Sequence, residues 1–255
     1  MNFTITSSKN EKFKYFKNLK QKKFRTEEFT VEGKKSVLEA LSSSMTVSAV
    51  IVSESFPLGD IKISEHIPVY YIPDSLFEQL SSTDTPSGII CTIKINRDTK
   101  FKLNLSRAYI YCDRISDPGN LGTIIRTADA AGFGGVLLSP GCVELYNPKT
   151  VRSSMGSFFR MTIAENIGTK QLIELKNQGF QLFSGALSVN AKSYAAVDYK
   201  KPTIIVIGNE SNGVSDEVLA ISECIKIPIV GGAESLNAAI AAAIIMYEVL
   251  RQRNN

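Results

Sequence analysis

The chain has 255 residues, 44% of them hydrophobic, and a formal net charge of +4, enough apolar content for one large or two ordinary domains with real cores. Cys91, Cys112, Cys142 and Cys224 stand far apart with no Cys-x-x-Cys pair, which reads as free thiols in a cytoplasmic protein and against disulfides or zinc ligands. A single histidine, His66, cannot supply a Ser-His-Asp triad or a histidine metal site, and no apolar run approaches the ~18 residues of a membrane span.

Charge is unevenly placed. Residues 1–35 carry ten Lys and Arg against four acids, leaving the remainder slightly acidic. Lys9, Lys12, Lys14, Lys17, Lys20, Lys22, Lys23 and Arg25 are interleaved with Phe13, Tyr15, Phe16 and Phe24. That mixture suits a phosphate backbone with flanking bases, and it equally suits a solvated amphipathic helix that turns Phe13, Phe16 and Leu19 inward. The pattern predicts a helix to about residue 19, a second over 33–41, and strands over 47–52, 69–72 and 89–95, with His66 structural at a strand entrance. This is a small α/β unit. The polar stretch 96–104 marks a boundary, giving domains over 1–100 and 105–255.

Beyond residue 105, strands over 109–112, 135–139, 161–164, 181–186, 203–207 and 225–229 alternate with helices over 121–131, 147–156, 169–178, 215–222 and 235–253. Such alternation predicts an α/β fold with a mainly parallel sheet covered on both faces. The Gly-x-Gly-x-x-Gly fingerprint is missing from the first strand-to-helix turn, and Gly132-Phe133-Gly134-Gly135 precedes a strand, so a conventional dinucleotide fold is disfavoured.

Three clusters fall at carboxyl ends of predicted strands, where ligands bind in open α/β sheets. In Asp117-Pro118-Gly119-Asn120-Leu121-Gly122, running on to Arg126, Pro118 and Gly119 predict a tight turn, while Asn120 and Arg126 supply donors shaped for phosphate and hydroxyl oxygens. Gly208-Asn209-Glu210-Ser211-Asn212-Gly213 is a glycine-bracketed loop with one carboxylate. Val230-Gly231-Gly232-Ala233-Glu234-Ser235-Leu236-Asn237 feeds a helix for which Ser235 reads as an N-cap. Each alone is compatible with an ordinary turn. Together they bring Asn120, Arg126, Glu210, Ser235 and Asn237 to one edge of one sheet.

At these residues the chain resembles the SpoU (TrmH-like) branch of the SPOUT RNA methyltransferases. Its three motifs appear in order: Asp117 to Ala128, Ile207-Gly208-Asn209-Glu210 through Val214, and Ile227-Pro228 through Ser235-Leu236-Asn237. Phe29-Thr30-Val31-Glu32-Gly33 and Thr85-Pro86-Ser87-Gly88-Ile89 resemble the small substrate-binding domain that often precedes that catalytic domain. The resemblance implies a C-terminal deep trefoil knot and a homodimer, with the small residues Ala238, Ala239, Ala241, Ala242 and Ala243 permitting close helix approach. It implies S-adenosylmethionine as methyl donor, held largely by backbone around Leu187, Gly208, Ile227, Pro228 and Leu236, and no metal.

The reaction so implied is methylation of a ribose 2′-hydroxyl, in 23S ribosomal RNA ahead of transfer RNA. Arg126 would act as an electrostatic clamp, Asn120 and Glu210 would orient it and the ribose, and Ser235 and Asn237 would position the nucleotide or neighbouring loops. Two departures stand out: Ala238-Ala239 where many relatives have Val-Ser, and Ser211 where glycine is frequent, which requires negative φ at Ser211. A non-catalytic RNA-binding, ribosome-associated protein is the competing class, and an enzyme acting on a small nucleotide is a second.

Overall fold

The computed structural model describes residues 1–59, 61–96 and 102–254, so most of the expected boundary over 96–104 lies outside the described residues. In chain order the main elements are β1 (Asn2–Thr4), α1 (Glu11–Asn18), β2 (Glu28–Glu32), α2 (Lys34–Ser42), β3 (Val47–Ser53), β4 (Val69–Ile72), α3 (Asp74–Leu80) and β5 (Ile89–Lys94). They continue with β6 (Ala108–Asp113), α4 (Pro118–Ala130), β7 (Gly135–Leu138), α5 (Pro148–Ser153), β8 (Ile163–Ala164), α6 (Thr169–Asn177), β9 (Gln181–Gly185) and β10 (Lys192–Ser193). β11 (Thr203–Gly208), α7 (Asp216–Leu219), β12 (Glu223–Lys226) and α8 (Ala238–Arg253) complete the chain.

Two compact units result: Met1–Asp98 with Tyr146–Phe159, and Thr99–Leu145 with Arg160–Asn255. The first holds a mixed sheet in the order β1-β4-β3-β5-β2, in which β5 runs antiparallel to both β3 and β2. β1, β2 and α3 were not predicted as elements; β1 is three residues long and exposed throughout, too short to carry a period. On α1 and its cap the inward reading holds: Phe13, Phe16 and Leu19 are buried, while Tyr15 and Phe24, the other rings interleaved with the lysines, are exposed. The segment Tyr146–Phe159, which the sequence groups with the later residues, packs into this unit instead. Phe158 and Tyr146 lie 5.6 and 4.9 Å from the ring of the fully buried Phe29. Burying those rings outweighs continuity of the chain.

The second unit holds a seven-stranded sheet in the order β10-β12-β9-β11-β6-β7-β8, every pair parallel. Its central strands β6 and β11 are buried along their whole length, as a sheet covered on both faces requires. Three details differ from expectation. Pro118 and Gly119 form the first turn of α4 rather than a separate turn: Asp117 caps the helix, its Oδ1 accepting from the Asn120 amide at 2.8 Å, and proline at that position lacks only a proton with no helical acceptor. β12 ends at Lys226, before Pro228, which has no N–H for a ladder. The last helix begins at Ala238, with Asn237 in place of Ser235 as its cap.

Ser211 avoids the left-handed region, which among the described non-glycine residues holds Arg114, Met155 and Asn166. Truncating Phe158 to alanine should cost about 3–5 kcal/mol in urea denaturation, as expected for a fully packed aromatic ring; a loss under about 1 kcal/mol would show that the ring is not part of the first unit's core.

Candidate active site

β6 and β11 pair from Ala108 with Thr203 to Asp113 with Gly208, so their carboxyl ends are level and their following loops start side by side. Gly208 lets this happen, since a Cβ there would lie 2.2 Å from Gly213 C and Val214 N, inside the return of its own loop. Asn209 closes the loop. Its backbone pairs with Gly213 in both directions at 2.9 Å, its Oδ1 accepts from the Ser211 and Asn212 amides, and its Nδ2 donates to the Arg114 carbonyl at 2.8 Å.

That loop presents Glu210 to the start of α4. The carboxylate accepts from Ser116 Oγ at 2.7 Å, the Ser116 and Asp117 amides at 3.1 and 3.3 Å, and Asn120 Nδ2 at 2.8 Å. Asn120 Oδ1 accepts from Asn237 Nδ2 at 3.0 Å, and Asn237 Oδ1 accepts from the Ala239 and Ile240 amides that open α8. Partial withdrawal from water would by itself raise the Glu210 pKa; donation from Asn120, Ser116 and backbone amides outweighs it and holds the carboxyl at about 2.

A cavity of about 690 Å³ opens beside this network at the carboxyl ends of β9, β11 and β12. Of the residues predicted to hold a cofactor, Leu187, Gly208, Ile227 and Leu236 line it, together with Glu210, Ser235 and Asn237. Pro228 does not. In the extended run after β12, alternate residues Ile227 and Ile229 face the cavity, and Pro228 between them is turned to solvent. The backbone from Ile227 to Leu236 has no hydrogen-bond partner among the described residues, so its amides and carbonyls are free for a ligand.

Five of the predicted residues thus separate into groups. Asn120, Glu210 and Asn237 form one hydrogen-bonded chain, Ser235 is exposed at the cavity, and Arg126 stands exposed on α4, its guanidinium in no hydrogen bond or ion pair among the described residues. The sequence reading did not single out Ser116, Asn209 or Asp113. Asp113 is 2% exposed and its Oδ2 accepts from the Ser215 amide at 2.7 Å, binding the loop after β11 a second time. A lone acid closing an apolar strand was the available signal.

The model of the SpoU rRNA Methylase family matches residues 107–247, and that of the MRM3-like substrate binding domain matches residues 10–91. This chain belongs to the SpoU rRNA methylase family. It is 35% identical over 248 residues to the 23S rRNA (guanosine(2553)-2′-O)-methyltransferase RlmP of Bacillus subtilis, covering 96% of this chain and 98% of that one. Among solved structures, the AdoMet-bound rRNA methyltransferase from Sinorhizobium meliloti superposes with a TM-score of 0.89 at 30% identity, covering 98% of both chains. The SpoU methyltransferase AviRb from Streptomyces viridochromogenes, also in complex with AdoMet, superposes at 0.83 with 26% identity, covering 96% of this chain and 98% of that one. The SpoU motifs therefore coincide with the loops that meet at Glu210.

Because the folded-state pKa of Glu210 lies below its ordinary 4.5, its stabilising contribution is complete above about pH 4.5 and is lost as the pH falls toward about 2. Allowing for solvent screening of an exposed carboxylate, Glu210→Gln should cost about 1 kcal/mol at neutral pH. Urea denaturation of both proteins should show this difference shrinking between about pH 4.5 and about pH 3; a gap unchanged over that range would refute the linkage.

Proposed function

We propose that this protein transfers a methyl group from S-adenosylmethionine to a ribose 2′-hydroxyl of 23S ribosomal RNA, with the first unit contributing substrate binding and the second the transfer. The carrying observation is the chain Glu210–Asn120–Asn237, which borders a cavity of nucleoside-cofactor size with an unpaired backbone wall. The residues present fit the cofactor. The volume falls within the ~300–1,000 Å³ typical of small-ligand sites. Apolar Leu187, Ile227, Leu236 and Ile245 offer faces for a base, and the free amides and carbonyls after β12 offer directional bonds without a charged side chain. Bound there, the sulfonium supplies an electrophilic methyl carbon.

The remaining work belongs to the chain. An arginine keeps its proton at any physiological pH, so Arg126 stabilises charge developing on the attacking oxygen or on an adjacent phosphate, and the hydroxyl proton passes to solvent. Arg126 is free to do so because no carboxylate among the described residues claims it. Asn120, immobilised at both ends of its amide, orients the ribose, and Ser235, exposed at the cavity, positions the nucleotide or the neighbouring loops. We take the loops around the cavity to be those that the family threads into a knot.

Pairing of two copies is part of the same proposal, though on a different face from the small residues. Ala238, Ala239 and Ala242 are buried within the unit, whereas Ile240, Ile244 and Tyr247 form an apolar stripe on α8 with Ile240 and Tyr247 about half exposed. The same proposal places the protein in the cytoplasm.

Arg126→Ala should lower methyl transfer at least ~100-fold while S-adenosylmethionine affinity by calorimetry stays within about twofold. Transfer of label from the cofactor to total RNA of a strain lacking this gene, mapped by primer extension, tests the substrate; label in transfer RNA alone overturns the ribosomal assignment. In sedimentation, Tyr247→Glu should convert a dimer to monomer, and a wild-type monomer would exclude pairing.

A further inference from the structure

The loop between β6 and α4 carries a second arginine that neither the motifs nor the network explains. Arg114 has φ 57°, a left-handed backbone that non-glycine residues adopt at some cost. Two side chains from other loops hold it there: its amide donates to Ser139 Oγ at 2.8 Å, and its carbonyl accepts from Asn209 Nδ2 at 2.8 Å. The side chain is equally determined. Nε lies against the buried Asp113 carboxylate at 3.5 Å without a hydrogen bond, and the stem passes Gly141, where a Cβ would come within 3.4 Å of Arg114 Cγ. The guanidinium makes no hydrogen bond among the described residues, and the side chain is 43% exposed. A cation has been aimed and its donors left vacant.

Its place along the sheet edge says what it faces. In the order β12-β9-β11-β6-β7 the cofactor cavity occupies the β12, β9 and β11 end, the Glu210–Asn120 tie spans β11 and β6, and Arg114 with Gly141 occupies the β6 and β7 end. A target hydroxyl brought to the cavity past the Asn120 amide would leave the adjoining polynucleotide on the β6 and β7 side, where Arg114 stands. Resting on the reading of the function above, we propose that Arg114 is a substrate-positioning residue that binds a backbone phosphate next to the target ribose, bidentately through its terminal nitrogens. Strain in the backbone is tolerated because it fixes where that fork points.

Asparagine adopts the left-handed region readily, so Arg114→Asn removes the charge and keeps the backbone; Arg114→Lys keeps the charge and loses the fork. With deproteinised 23S ribosomal RNA, Arg114→Asn should raise KM about tenfold with kcat near wild type, and should reduce the slope of log affinity against log salt by about one, the signature of one lost phosphate contact. Lysine should restore the slope and only part of KM. S-adenosylmethionine affinity should match wild type, which shows that the cofactor cavity is intact. A wild-type slope in Arg114→Asn, or a fall in kcat with KM unchanged, overturns the proposal. The slope comes from equilibrium binding without turnover, so a wild-type enzyme that transfers no methyl group would sink the functional reading while leaving the phosphate contact to be judged on its own.

Discussion

The second unit's ligand edge depends on one carboxylate. Parallel strands hold β6 and β11 in register, but their loops leave the sheet in directions that the ladder does not control. Glu210 fixes both by taking four donors from the start of α4, and through Asn120 it reaches the start of α8. The hydrogen bonds share a direction. The opening amides of α8, the positive end of its dipole, donate to Asn237; Asn237 donates to Asn120; Asn120 donates to Glu210. A chain of amides oriented head to tail between a helix N-terminus and an anion polarises each link in the same sense, so each bond strengthens the next. Neither asparagine could flip without turning two donors or two acceptors against each other.

This relay explains which parts of the site were legible in the sequence. Polar residues at carboxyl ends of apolar strands were visible as Asn120, Glu210 and Asn237, because strand runs such as Thr203–Gly208 leave little ambiguity about where a loop begins. What joined them was not visible, since spacing does not say which loop faces which until strand order is known. β11 lies between β6 and β9, so Glu210 meets residues some ninety positions earlier. Boundaries failed where capping decided them. Ser235 and Asn237 are both good caps on composition, and only the backbone shows Asn237 accepting from the first helical amides. Pro118-Gly119 read as a turn because proline and glycine favour one, yet the Asp117 cap makes that pair the opening of a helix.

The basic N-terminal segment shows a different limit. Its ten cations look alike in composition, but they divide by partner. Arg25 is 6% exposed and its Nη1 donates to the Leu19 and Lys20 carbonyls, while Lys20 Nζ donates to the Gln79 and Ser81 carbonyls. These two brace the end of α1 and are poorly placed to neutralise phosphate. Lys12 and Lys23 sit 5.7 and 4.9 Å from the ring centroids of exposed Tyr15 and Phe24, so charge and ring are presented together to solvent. That pairing is the form in which single-stranded nucleic acid is held without regard to sequence. A count of charge therefore overstates the cations of this unit that are open to a phosphate chain.

Specificity has to come from groups whose position is set, and here the two units differ in kind. A lysine on α1 carries its charge on a flexible stem and adds affinity along any phosphate chain. Arg114 is confined by backbone, by Asp113 and by the space that Gly141 leaves, so it rewards one phosphate position and no other. The loop that holds its carbonyl through Asn209 also presents Glu210, the next residue. A displacement of that loop would move the cation and the Asn120 tie together. The spacing between a phosphate contact and the ribose edge is thus set by a single loop, and that spacing is what a 2′-hydroxyl and its neighbouring phosphate have in fixed proportion.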